Sequence, residues 1–393
     1  MPSDFQMIPL AVPHLAGNEW VYIKDCLDTN WVSYVGPYVD RFERELAVKV
    51  GATHAVAVSS GTSALHIALI LAGVGQEDEV VMPGLSFVAP ANAIRYCGAW
   101  PVFTDIRADD WQWDVEQVAA FLAQGCDRRD GQLVNKMTGR RIAALLPVHL
   151  LGGMCDVDAV AGLAAKYNLP MIEDAAECLG ATYKERPIGA PIPDFYGPLR
   201  LVITSFNGNK IITTGGGGAI FTEDAELAAR AKHLTTTAKA DKIEFYHDEV
   251  GYNYRMTNIA AALGVAQLEM LDAYIEKKRI IAATYEEMIA DSVHAVHPQP
   301  VYCRSIYWMY TVRMEISARP VVDQMIQRGI QVRPLWHPLN GLPAFQDAGM
   351  SPPCDICLNL YKTAISLPCS VSLSEESLER CARALISCID SSP

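Results

Sequence analysis

Charge is scarce in this 393-residue chain: Asp, Glu, Lys and Arg make up 20% of it, whereas half of its residues are apolar. That balance excludes the low-hydrophobicity, high-charge composition of a disordered chain. Positive charge is the scarcer sign, with 32 Lys and Arg against 45 Asp and Glu and a net charge of −13. No Lys/Arg-rich run offsets it locally, so nucleic acid is not an expected partner. No apolar run approaches the roughly 18 residues of a membrane span, and the start Met1-Pro2-Ser3-Asp4 lacks the basic flank of a secretory signal. The expected location is the cytoplasm. Cysteine occurs eleven times, but scattered, which argues for reduced thiols over a disulfide framework. The tight pair Cys354-Asp-Ile-Cys357 has no companion at zinc spacing, and the His294-Ala-Val-His297 pair stands equally alone, so no metal is assigned. No repeat or low-complexity segment stands out.

What is present is a long alternation of short apolar runs with helical patterns over residues 42–220, the signature of strand–helix units building a mainly parallel α/β sheet. Strands are predicted at 54–58, 79–82, 100–104, 142–148 and 170–173, with a helix through Leu71 after the first strand and another near 158–167. Residues 256–285, rich in Ala, Leu and Glu and free of proline, predict a long helix leading to a second domain. The expected division is a large domain over 1–249 and a smaller C-terminal α+β domain over 250–393. Within the latter, strands are predicted at 305–315 and 331–336 and a helix at 320–329. Ser372-Leu-Ser-Glu375 reads as a capping box opening the last helix.

Ligands in open α/β sheets gather beyond the carboxyl ends of the strands, and the chemistry-bearing residues fall at such ends. Ser59-Ser-Gly-Thr-Ser63 follows a strand and opens a helix. There Gly61 lets a ligand approach the backbone, and the helix N-terminus with Thr62 and Ser63 favours an anion; a plain helix cap is the other reading. Glu173-Asp174 ends a second strand. A carboxylate there can favour the protonated form of a pyridine ring, and Asp174 is the candidate. Lys210 stands between an apolar strand and the run Gly215-Gly-Gly-Gly218, placed to anchor an aldehyde cofactor as a Schiff base and to move protons once released. The glycines fail the G-x-G-x-x-G pattern because the third would fall at Ile220 or Phe221, which argues against a nicotinamide-dependent dehydrogenase. Flexibility beside the lysine is the expected role of the run.

Four ordered motifs, Ser60-Gly-Thr-Ser-Ala-Leu65, Glu173-Asp-Ala-Ala176, Ser205-Phe-Asn-Gly-Asn-Lys210 and Gly251-Tyr-Asn-Tyr-Arg-Met-Thr-Asn258, together resemble the DegT/DnrJ/EryC1/StrS sugar aminotransferases. The resemblance implies a type I aminotransferase fold, with a mainly parallel seven-stranded sheet in its large domain, and a homodimer with shared active sites. It also implies pyridoxal 5'-phosphate as cofactor, cycling through pyridoxamine 5'-phosphate. Residue by residue, it makes Lys210 the cofactor lysine and Asp174 the partner of the ring nitrogen. Thr62, Ser63 and Ser205 hold the phosphate, with Gly61 and Ala176 beside them, and Asn253 reaches it from the neighbouring subunit. Phe87 stacks on the ring. Glu177, where the family often has Gln or His, the Asn207-Gly-Asn209 before Lys210 and the Val12-Pro13 opening together resemble the subgroup aminating C4 of nucleotide-linked 4-keto-6-deoxy-N-acetylhexosamines, with L-glutamate as donor and 2-oxoglutarate as product. Such enzymes serve legionaminic acid and bacillosamine pathways, and UDP is the expected nucleotide. Arg255 and Arg333 are candidates for the diphosphate, Trp31 and Tyr34 for the base, and His149, Glu177 and His337 for the pocket wall. A sugar 3-dehydratase on the same scaffold would carry His where Lys210 stands, and a noncatalytic member would have lost Lys210 or Asp174.

Overall fold

The protein is described here from a computed structural model covering residues 7–241, 243–346, 348 and 352–391; residues 1–4, the opening stretch discussed above, lie outside it. Apolar runs of five or so residues, too short for helices and rich in Val, Ile and Ala, pair into a seven-stranded sheet. Its spatial order is His54–Val58, Gly218–Thr222, Arg200–Ser205, Met171–Asp174, Ile142–Leu145, Glu79–Pro83 and Trp100–Thr104. Only Gly218–Thr222 runs against its neighbours; the other six strands point the same way. Six carboxyl ends therefore share one edge, and the reversed strand begins there. This is the mainly parallel seven-stranded sheet that the sequence resemblance implies. Leu65, Ile67 and Leu69 of the Gly61–Leu71 helix are fully buried with Val58, Ile203 and Phe206. Each such side chain contributes about 1.5–3 kcal/mol by leaving water.

The second half of the run Gly215–Gly218 is tightly packed. A Cβ on Gly218 would lie 2.6 Å from the Ser60 carbonyl, and one on Gly217 would meet Thr214 at 2.2 Å. Gly218 lets the end of the lysine loop lie against the Ser60 backbone, and Gly217 makes room for the Thr214 hydroxyl.

Thr257 caps the long helix Asn258–Ile289, its hydroxyl accepting from the Ala260 N–H. Beyond it, Tyr310–Arg313, Ala364–Leu367 and Arg333–Pro334 form an antiparallel three-stranded sheet, accompanied by the Ala318–Gln327 and Glu375–Asp390 helices. The strand expected at 305–315 shortens to four residues because Tyr307 takes a left-handed φ of 49° and turns the chain. That expected at 331–336 shortens to Arg333–Pro334, and 142–148 ends at Leu145, with Val148 meeting Asp174 in an isolated bridge. The last helix is capped by Ser374, which accepts from the Ser377 N–H, two residues past the predicted Ser372. A division at 249/250 stands as a proposal with one amendment, since the N-terminal end joins the C-terminal part. Ile8 bridges Ile330, and the Val12 N–H donates to Ser370 Oγ. No described helix is long and apolar enough to cross a membrane.

Candidate active site

The shared carboxyl edge lines a cavity of about 470 Å³, closed on its far side by the C-terminal sheet. After His54–Val58 come Ser60, Gly61 and Thr62; beyond Glu79–Pro83, Ser86 and Phe87; beyond Ile142–Leu145, Val148 and Leu151. Met171–Asp174 contributes Asp174, Ala176 and Glu177, and Arg200–Ser205 contributes Ser205, Asn207, Asn209 and Lys210. Arg333 and Ser366, paired in register, arrive from the C-terminal sheet, and Trp308 and Trp336 complete the wall. A Cβ on Gly61 would lie 2.8 Å from Ser205 Cβ; only glycine lets the helix N-terminus and the Ser205 hydroxyl sit side by side. Phe87 is 56% exposed, which rules out its being a buried core aromatic.

Strand alternation separates the two adjacent acids. Glu173 points away from the cavity, fully buried, where its Oε1 lies 2.5 Å from Arg200 Nε and its Oε2 3.0 Å from His149 Nε2. Burial pushes its carboxyl up, but Arg200 and His149 outweigh that and hold it below the ordinary value. Asp174 faces the cavity, with Oδ1 accepting from the Ala176 N–H at 2.9 Å. Burial raises its carboxyl above the usual range despite that N–H and Lys210. Glu177 is pushed up to about 7, again first by burial, with Lys210 and the Leu151 N–H opposing. Its Oε2 accepts from Leu151 N at 2.9 Å and its Oε1 lies 3.7 Å from Lys210 Nζ. The same ammonium sits 4.0 Å from the Trp308 ring centre, and Trp308 is fixed by donating Nε1–H to the Asn209 carbonyl at 2.7 Å.

Of the residues singled out from the sequence, Gly61, Thr62, Phe87, Asp174, Ala176, Glu177, Ser205, Lys210 and Arg333 meet in this cavity. Ser63 does not: it closes a reciprocal cap with Ser60, donating to the Ser60 carbonyl and accepting from the Ser60 N–H, so the helix-cap reading holds for its hydroxyl. His149 is a structural histidine, its Nδ1 accepting from the Cys155 N–H while Nε2 faces Glu173. His337 turns its ring against Tyr361, 4.8 Å away, and its Nδ1 toward the Pro338 carbonyl. Trp31, Tyr34 and Asn253 lie exposed outside the cavity. Arg255 stacks 3.4 Å over the Tyr34 ring, with its Nε buried and unpartnered among the described residues. Sequence reasoning missed Trp308 and Trp336, whose rings are stacked 9° from parallel. The aromatic run Tyr307-Trp308-Met-Tyr310 was the available signal, but nothing local says which of its rings faces the strands 100 residues earlier.

The donor set fits pyridoxal phosphate. A lysine amine and a dry carboxylate that demands a cationic partner stand on one wall, with two hydroxyls and a helix N-terminus beside them for an anion. The model of the DegT/DnrJ/EryC1/StrS aminotransferase family matches residues 13–386. The chain is 36% identical over 394 residues to a GDP-perosamine synthase of Caulobacter vibrioides, covering 98% of each. It is also 36% identical over 386 residues to EpsN of Bacillus subtilis, provisionally named a pyridoxal phosphate-dependent aminotransferase, covering 96% of this chain and 95% of that one. Among solved structures, the aminotransferase TlmJ of Streptoalloteichus hindustanus superposes with a TM-score of 0.86 at 28% identity, over 98% of this chain and 99% of that one. A family match along nearly the whole chain, on a cavity with this donor set, makes the protein a member of the DegT/DnrJ/EryC1/StrS family and a pyridoxal-phosphate-dependent sugar aminotransferase.

Proposed function

We propose that the enzyme transfers the amino group of glutamate to C4 of a nucleotide-linked 4-keto-6-deoxy sugar, with both half-reactions run by Lys210. The observation that carries this is the meeting of Lys210, Asp174 and the Gly61–Thr62 turn with Ser205 at one sheet edge. When bound, pyridoxal phosphate supplies a pyridine ring that withdraws electrons from the carbon losing its proton. Asp174 keeps the ring nitrogen protonated, because its buried carboxylate favours a neighbouring positive charge. Thr62, Ser205 and the helix N-terminus hold the phosphate; Phe87 covers the ring. The Lys210 amine would anchor the cofactor and, once free, would take up or return the proton at the substrate carbon. Trp308 and Trp336 keep water from this exchange.

The sequence favours UDP-2-acetamido-2,6-dideoxyhexos-4-ulose as acceptor, whereas relatives in Caulobacter vibrioides, Escherichia coli and Vibrio cholerae are named GDP-perosamine synthases. Because those matches run along the whole chain, a GDP-linked 4-keto-6-deoxyhexose is our first choice. Arg333, the cation at the cavity rim, is assigned to an anionic group of the substrates. Trp31, Tyr34, Arg255 and Asn253, turned away from the cavity of their own chain, are assigned to the site of a second copy, which makes the enzyme a homodimer.

The test is to supply purified enzyme with pyridoxal phosphate, glutamate and either keto sugar, reading sugar products by mass spectrometry and oligomeric state by light scattering. A 4-amino sugar from wild type and none from Lys210→Ala supports the assignment. Wild type that converts glutamate but aminates neither sugar rejects the acceptor class, and wild type that never produces 2-oxoglutarate rejects the activity.

A further inference from the structure

Glu177 is an acid the mechanism above leaves idle. It sits on the turn after Met171–Asp174, 5% exposed, with its two oxygens given separate tasks. Oε2 is tied to the Leu151 N–H at 2.9 Å. Leu151 itself adopts a left-handed φ of 60°, followed by Gly152 at 102°. A non-glycine residue in that region is strained, and here the strained turn presents its N–H to the carboxyl group. Oε1 is thereby aimed at Lys210, 3.7 Å from Nζ. The charged groups sharing the cavity are Asp174, from the same turn, and Arg333, from the C-terminal sheet. His149 is committed to Glu173.

We propose that Glu177 is the proton acceptor for Lys210, taking the third proton of its ammonium so that the amine is neutral when it must act. The reading rests on the aminotransferase function proposed above. The transfer balances within the pair: an N–H bond of the ammonium breaks, an O–H bond forms at Oε1, and an ion pair becomes a neutral amine beside a carboxylic acid. No other reactant is needed. Two features favour the neutral pair. The cavity wall is largely apolar there, which destabilises separated charges, and the Leu151 N–H can stay bonded to Oε2 in both states. A carboxyl that titrates near neutrality suits the exchange. Against it, the Trp308 ring favours the ammonium, so the amine is released only when Glu177 takes up the proton. Glu177 touches the reacting amine and is in that sense a catalytic residue.

The deciding experiment uses the full-length protein stripped of cofactor and measures the rate at which a small acylating reagent modifies Lys210, by peptide mass spectrometry from pH 5 to 10. Wild type is expected to show two inflections, the lower near pH 7, because the amine's protonation depends on that of its neighbour. Glu177→Gln keeps an acceptor for the Leu151 N–H and is expected to give a single inflection shifted by at least one unit to lower pH. In the loaded enzyme the same substitution lowers the amination rate about 100-fold and removes the pH dependence near 7, while Glu177→Asp retains it. Superimposable curves for wild type and Glu177→Gln, or a single inflection in wild type, overturn the proposal. The wild-type curve decides even if the variant does not fold, and it needs no sugar or glutamate, so it fails separately from the functional assignment.

Discussion

Replacing Arg200 by leucine isolates the buried acid behind the active site. Arg200 lies 2.5 Å from Glu173 and also donates to the Ala190 and Ile188 carbonyls at 2.8 and 3.0 Å. Without it, Glu173, with 0% of its side chain exposed, must stay charged without its cation or take a proton. Stranding a buried charge costs about 3–5 kcal/mol. Protonation caps that penalty: from an unfolded value near 4.3, it costs about 1.4 kcal/mol per pH unit, or roughly 3.7 kcal/mol at pH 7. The two orphaned carbonyls add about 1–2 kcal/mol at any pH. The expected loss is therefore about 5 kcal/mol at pH 7, shrinking to about 2 kcal/mol near pH 5. The sign follows from the two states. In wild type the depressed Glu173 contributes stability above its unfolded value and loses it as pH falls through its folded value. In the variant burial acts unopposed by Arg200, and acid relieves it. Urea unfolding at several pH values measures this; with a slope near 3 kcal/mol/M the midpoint falls by more than about 1 M at pH 7. Glu173→Gln with Arg200→Leu should retain only the pH-independent part. A loss that stays constant from pH 7 to pH 5 would refute the reasoning, because no titrating group would then be carrying it.

Glu177 gives the opposite sign. Its folded value near 7 lies above the unfolded one, so the folded protein binds the extra proton and wild type loses stability as pH rises from about 4.3 to 7. Glu177→Gln should therefore unfold at higher urea than wild type above pH 7, by about 3–4 kcal/mol, with the gap closing toward pH 4. Gly61→Ala forces a methyl group to within 2.8 Å of Ser205; it should cost about 1–3 kcal/mol and weaken cofactor affinity, read by equilibrium dialysis. Lys278→Met removes a buried ammonium that donates to the Trp308 and Cys369 carbonyls at 2.7 and 2.6 Å. It should lower stability by about 2–4 kcal/mol and loosen Trp308, seen as a red shift of tryptophan emission. Asp174→Asn should leave folding intact and reduce sugar amination at least about 100-fold, and near-normal turnover would remove Asp174 from its role.

Local chemistry in the sequence determined much of this protein. Apolar pulses ending in polar residues located five strands of the large sheet, a sixth was read as the apolar strand before Lys210, and the lysine and glycines between 205 and 218 marked where chemistry had to be. Asp174 was singled out from adjacent Glu173 as the candidate for the ring nitrogen, and because the period of a strand is two the structure sends Glu173 behind the sheet and Asp174 into the cavity. Ser63 looked like a phosphate donor and caps its own helix instead, because its hydroxyl lies within reach of the Ser60 backbone before any ligand competes. The glycine run read as slack, but it lets the lysine loop press against the Ser60 turn. Trp308, Trp336 and the Leu151 N–H were invisible beforehand. Their roles are distances to residues nearly 100 positions away, or a φ angle set by packing. Sequence period and residue type fix which face a side chain takes and what it can do. Only the closed tertiary structure decides which faces meet, and it placed Glu177 3.7 Å from Lys210.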